Sequence, residues 1–163
     1  MTNSKVKRII LFGGELAIFN FAVNAIKRKF EVIIFTNDFR LNSLINETES
    51  LREKFKKENI PYIEIDDLSK DLISKYINDN TIGLSIVTFW LFKKDIIELF
   101  EGRLYNYHGA RLPEERGGGT YTWKILSQIR LGGLTIHQVA KGIDTGDIVM
   151  DYEFMFPDEC RIP

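Results

Sequence analysis

Apolar positions recur along the chain in two alternating rhythms. Arg8 to Phe12 is a short apolar run closed by Gly13-Gly14, and from Glu15 to Lys29 the residues Leu16, Phe19, Val23 and Ile26 return at helical spacing. This predicts strand, turn, helix. Phe30 to Thr36 is rich in β-branched and aromatic residues and is bounded by Asn37-Asp38, the pattern of a strand buried on both faces. A polar stretch begins at Arg40, the charged run Glu47 to Asn59 is compatible with a helix, and Pro61 to Ile65 reads as a short strand led in by proline. Asp66 or Asp67 can cap a helix reaching about Tyr76. Ile82 to Val87 is the next apolar strand, Lys93 to Phe100 a short helix, and Arg103 to Tyr107 another strand. Gly109 to Thr120, with Pro113 and Gly117-Gly118-Gly119, reads as a loop. Tyr121 to Ile129 is helix-compatible, and Gly133 to Val139 and Ile148 to Phe154 read as strands joined by the turn-rich segment from Lys141 to Asp147.

Strands alternating with helices imply βαβ units. The expected fold is α/β, a Rossmann-like doubly wound, mostly parallel sheet with helices on both faces and an antiparallel C-terminal part. A single domain over residues 1–163 is the default, and the abrupt ending at Pro163 leaves room for a longer chain. In such sheets ligands bind outside the carboxyl ends of the strands, so chemistry is sought there.

Composition narrows the function classes. With 44% hydrophobic and 28% charged residues the chain has the make-up of a soluble globular domain. Its 22 basic and 23 acidic residues leave a net charge of −1, so no global field favours nucleic acid or a membrane surface. No apolar run is long enough to span a bilayer, and no secretory cleavage pattern follows the N-terminus. The lone Cys160 excludes an internal disulfide or a cysteine-based zinc site, which fits a cytoplasmic protein without metal.

Gly13-Gly14 invites a nucleotide-binding interpretation, yet no third glycine follows where the helix begins, so it reads as a tight strand-to-helix turn. The chemistry-bearing segment is Tyr105-Asn106-Tyr107-His108-Gly109-Ala110-Arg111-Leu112-Pro113. Side chains alternate along a strand, so Asn106 and His108 project to the same side at its end. An amide donor beside an imidazole suits stabilisation of an oxyanion while protons move. Taken alone, Asn-x-His also fits a turn former and a surface histidine, and His137, within a strand, reads as structural.

The second segment runs from Gly133 through Lys141-Gly142-Ile143-Asp144-Thr145-Gly146-Asp147 to Val149. Together the two segments resemble the folate-dependent formyltransferase family in order, spacing and residue type. The resemblance implies a catalytic set of Asn106, His108 and Asp144 and a formyl donor, 10-formyltetrahydrofolate, with no metal. It also implies that the loop Phe89, Trp90, Leu91 and Phe92 walls the pterin, together with the backbone of Ala140, Lys141, Gly142 and Ile143. Lys141 departs from the acidic residue common at that place; if the position touches the pterin through its main chain, the exchange is neutral.

The acceptor amine is less constrained. The run Arg111-Leu112-Pro113-Glu114-Glu115-Arg116-Gly117-Gly118-Gly119-Thr120-Tyr121-Thr122-Trp123 looks like that of nucleotide-sugar N-formyltransferases, which serve surface polysaccharide synthesis such as that of the lipopolysaccharide O-antigen. Arg111 and Arg116 would neutralise a diphosphate, Gly117 and Gly118 would approach it through backbone amides, and Tyr121 and Trp123 would stack on sugar or base. The partners implied are folate and a nucleotide sugar, with no nucleic acid and no membrane, and a homodimer is compatible. Phosphoribosylglycinamide formyltransferase is the alternative. The methionyl-tRNA branch is set aside on length and charge. Rivals of other classes are a non-catalytic ligand-binding relative, disfavoured by the intact Asn106, His108 and Asp144, and a Rossmann-type reductase, disfavoured by the missing glycine fingerprint.

Overall fold

The computed structural model describes residues 5–161, so the outermost residues of the expected 1–163 domain lie outside the described residues. The chain forms two compact units, the first ending at Leu104 and the second beginning at Tyr105.

In the first unit β1 (Arg8–Gly13) leads into α1 (Glu15–Lys27), β2 (Glu31–Thr36), α2 (Asp38–Asn42), α3 (Leu51–Lys57) and β3 (Ile63–Glu64). α4 (Lys70–Ile73) continues into a 3-10 turn at Ser74–Tyr76, followed by β4 (Thr81–Ile86) and α5 (Lys94–Leu99). The strands pair in parallel in the order β3-β2-β1-β4. β1 is apolar on both faces because both are covered: Ile10, Leu11 and Phe12 are fully buried. The Phe12 ring stacks on Phe35 at 5.6 Å and meets Phe92 and Phe100 edge-on at 5.2 and 6.1 Å, which welds β1 to β2 and to the segments around α5. α1 turns Ile18, Phe19, Ala22 and Ala25 inward and packs against α3, where Phe19 meets Phe55; α4 packs against α5. The turn from β1 to α1 admits only glycine at Gly13, whose φ is 133° and where a Cβ would lie 1.8 Å from the Ile86 carbonyl oxygen.

The second unit is antiparallel. β5 (Leu104–His108) pairs with β6 (Leu131–Gln138), which pairs with β7 (Ile148–Met155), and α6 (Thr120–Leu126) precedes β6. Parallel pairing before β5 and antiparallel pairing after it make this an α/β, Rossmann-like fold, as expected from the order of elements.

Several boundaries differ from the sequence expectation, each for a local reason. The helix expected from Asp66 or Asp67 starts later, because Ser69 accepts the Leu72 N–H and serves as its cap, while Asp67 accepts from the neighbouring Leu68 N–H and pairs with Lys93. The helix expected over Glu47–Asn59 shrinks to α3, which a reciprocal capping box between Ser50 and Glu53 starts at Leu51. α2 was hidden in a polar stretch. It is nucleated by Asn37, whose side chain accepts from the Arg40 N–H at 3.0 Å.

Candidate active site

Antiparallel pairing of β5 with β6 sets Asn106 opposite His137 and His108 opposite Thr135. Residues directly opposed across a pair point to one face, so four polar side chains share one patch of the sheet. Thr135 is fully buried and ties down the loop after β5: its hydroxyl donates to the Ala110 carbonyl at 2.7 Å and accepts from the Leu112 N–H at 3.3 Å.

Asp144 reaches the same patch from the β6–β7 loop. That loop doubles back so tightly that a Cβ on Gly146 would stand 1.9 Å from the Gln138 carbonyl oxygen, and the Gln138 N–H donates to the Asp147 carbonyl at 2.9 Å. Asp144 itself sits at φ 49°, a left-handed conformation that aspartate tolerates better than most residues. One carboxylate oxygen, Oδ1, lies 3.4 Å from Asn106 Nδ2 and 3.3 Å from His137 Nε2. The other, Oδ2, accepts the Gly117 N–H at 2.9 Å and lies 3.6 Å from His108 Nδ1. The carboxylate is 12% exposed and therefore works in a poorly solvated setting.

The two imidazoles are oriented by main-chain carbonyls. A carbonyl only accepts, so His108 Nε2, 2.7 Å from the Glu115 carbonyl, carries hydrogen, and Nδ1 is left facing Asp144. By the same logic His137 Nδ1 donates to the Gln138 carbonyl at 2.8 Å, and a neutral His137 offers its Nε2 lone pair to Asn106 Nδ2 at 3.2 Å. Both hydrogens of the Asn106 amide then have partners, at long distances that a better acceptor would outcompete.

The formyl transferase family model matches residues 32–157, well over half of the chain. The chain belongs to the formyl transferase family. It is 29% identical over 115 residues to the methionyl-tRNA formyltransferase of Prochlorococcus marinus subsp. pastoris, a match covering 69% of this chain and 34% of that one. The chain thus spans about a third of the length of this curated relative. Among solved structures it superposes on the phosphoribosylglycinamide formyltransferase of Bacillus halodurans with a TM-score of 0.72, at 21% identity, over 95% of this chain and 83% of that one. An N-formyltransferase from Helicobacter canadensis, solved with folinic acid and dTDP-3-aminofucose, gives a TM-score of 0.69 at 24% identity, over 93% and 53%. At these identities the superpositions establish the fold alone.

The remaining residues expected to serve a formyl transferase are placed as follows. In the first unit, Phe89 and Leu91 expose 47% and 77% of their surface, whereas Trp90 is buried with its indole N–H on the Asp66 carbonyl at 3.0 Å, and Phe92 packs on Phe12. In the second unit, Lys141, Gly142 and Ile143 are exposed and Ala140 is half-buried. Of the acceptor candidates, Arg116, Gly118 and Trp123 are exposed, while the Gly117 amide is taken up by Asp144. Arg111 is already paired with Glu115 at 3.2 Å and Glu153 at 3.3 Å, and both carboxylates raise its pKa further above its ordinary value, Glu153 most. Tyr121 donates its hydroxyl to the Gly133 carbonyl at 3.3 Å and lies edge-on to Phe156, and burial pushes the phenol up. Among the described residues no cluster of three or more His, Cys, Asp or Glu side chains is arranged to hold a metal ion.

Sequence reasoning gave no role to Glu115 or Lys124 and read His137 as structural. The burial of His137 inside a strand, 2% exposed, agrees with a structural histidine, but its ring also touches Asp144 and Asn106. The signal was the register: once β5 and β6 are paired, His137 must share a face with Asn106.

Proposed function

We propose that this protein transfers a formyl group from 10-formyltetrahydrofolate to the primary amine of a nucleotide-linked amino-sugar. The observation that carries the reading is the convergence of Asn106, His108 and Asp144, with the Asp144 carboxylate 3.4 Å from the Asn106 amide and 3.6 Å from the His108 ring. Family membership supports formyl transfer, and the likeness of the 111–123 run to nucleotide-sugar enzymes supports the acceptor.

In this mechanism the acceptor amine attacks the formyl carbon, forming a C–N bond and placing negative charge on the formyl oxygen. Asn106 turns an amide hydrogen from its long contacts onto that oxygen, because an anion is the stronger acceptor, and His108, whose Nε2 hydrogen is held by the Glu115 carbonyl, takes the proton released by the attacking nitrogen on Nδ1, so that positive charge forms beside the oxyanion. Asp144 holds both groups and stabilises the imidazolium that forms. The proton is delivered to the departing folate nitrogen as its bond to the formyl carbon breaks. The products are the formamide of the acceptor and tetrahydrofolate. Within the second unit the backbone of residues 140–143 is assigned to the pterin, and Arg116, Gly118 and Trp123 to the acceptor. A cytoplasmic location and a homodimer belong to the same proposal.

The test is to incubate the protein with 10-formyltetrahydrofolate and a panel of amino-sugar nucleotides, glycinamide ribonucleotide and methionyl-tRNA. A mass gain of one formyl group on an amino-sugar nucleotide is expected. Formylation of glycinamide ribonucleotide alone would select the alternative favoured by the 83% coverage of the Bacillus halodurans enzyme. Formylation of methionyl-tRNA alone would overturn the acceptor assignment.

A further inference from the structure

We infer that the Lys124–Glu115 ion pair is a positioning device for His108, with Lys124 acting through Glu115 and not by touching substrate. The inference rests on the role proposed for His108 in formyl transfer.

Lys124 is anomalous on its helix. Tyr121, Trp123 and Leu126 of α6 are 38%, 68% and 62% exposed, yet the ammonium-bearing side chain is 4% exposed. Burying an ammonium costs several kcal/mol unless it is paired, and an aliphatic side chain of similar size would pack there without that penalty. Here the ammonium lies 2.6 Å from Glu115 Oε1 and donates to the Leu131 carbonyl at the start of β6. What it clamps is a closed turn. The Glu115 N–H donates to the Arg111 carbonyl at 2.9 Å, and Glu115 Oε2 accepts the Arg111 N–H at 3.0 Å. The Arg111 guanidinium donates to Oε1 at 3.2 and 3.3 Å. Burial by itself raises the Glu115 carboxyl; the Lys124 and Arg111 donors outweigh it and hold the group below its ordinary range, so it stays an anion.

The last carbonyl of this turn, that of Glu115, is the acceptor of the His108 Nε2 hydrogen at 2.7 Å. Fixing that carbonyl fixes which imidazole nitrogen carries hydrogen and leaves Nδ1 aimed at Asp144. The ionisable groups around Glu115 are Lys124, Arg111 and, beyond Arg111, Glu153. The network is thus closed within the second unit.

The experiment uses Lys124→Met, Glu115→Gln and the double variant of the whole chain, read by nitrogen-15 NMR of the histidine rings without substrate and by formyl-transfer kinetics. In the parent protein His108 is expected to show one tautomer with hydrogen on Nε2. Each single variant is expected to shift the His108 ring nitrogens toward a tautomer mixture while the His137 signals stay in place. Turnover should fall about tenfold with KM for both substrates within about twofold, and the double variant should be no worse than the poorer single one. Glu115→Gln preserves shape, so the test survives if Lys124→Met folds poorly. Unchanged His108 signals in folded Glu115→Gln and in the folded double variant would overturn the inference, as would a rise in KM at constant turnover. If the parent protein transfers no formyl group, the functional proposal fails on that result, while the ring signals still decide the positioning.

Discussion

Asp144 adopts φ 49° and receives donors on both oxygens, from Asn106 on one side, with His137 nearby, and from Gly117, with His108 nearby, on the other. A residue at positive φ that gathers this many partners is held in that conformation by its surroundings. The two groups proposed to stabilise the developing oxyanion can be tested singly. Asn106→Ala and His108→Ala should each lower turnover by about two to three orders of magnitude, the usual effect of removing one group that stabilises an oxyanion. Their melting temperatures should stay near that of the parent. Turnover within a few-fold of the parent in either variant would remove that side chain from the mechanism. At this scale much was legible in the sequence: alternation along β5 puts Asn106 and His108 on one side, and the turn-rich segment around Asp144 announced a loop. His137 was not legible, because its neighbours come from the register of β6 on β5 and from nothing adjacent in the chain.

Elements were legible where hydrophobic periodicity was strong and uncertain where a single polar side chain chose the boundary. β1, β2 and β4 lie close to their expected spans, since a run buried on both faces has little else to become. α3 begins at Leu51 because Ser50 accepts the Glu53 N–H while the Glu53 carboxylate accepts the Ser50 N–H. Ser50→Ala should therefore destabilise the protein by about 1 kcal/mol, measured by urea denaturation, without changing the denaturant slope. On α6 the buried Lys124 supplies a pH signature. The Glu115 carboxyl, raised by burial but lowered more by Lys124 and Arg111, lies below its unfolded value. It thus adds stability that is complete above the unfolded value of about 4.3 and is lost as pH falls through the lower folded value. The melting-temperature gap between the parent and Glu115→Gln should be widest near neutrality and narrow as pH drops below about 4. A gap independent of pH would contradict this account.

Taken as a whole, the described chain owes its first unit to one aromatic centre, where Phe12 touches Phe35, Phe92 and Phe100. Phe12→Ala should cost about 3–5 kcal/mol, a large share of the 5–15 kcal/mol that holds a typical domain together. A sharp drop in the urea midpoint is expected, and a shift below 1 kcal/mol would show that the centre collapses to fill the gap. The order of elements, the parallel first part and the antiparallel second part follow from hydrophobic pattern, because period and run length are properties of neighbouring residues. So do the residue types available for chemistry. Only the tertiary structure decided their partners: the return of Asp144 to the Asn106–His137 pair, the commitment of Arg111 to Glu115 and Glu153, and the burial of Lys124. Those outcomes depend on register, loop closure and the drive to pair a charge once water is excluded, which act between segments far apart in the chain.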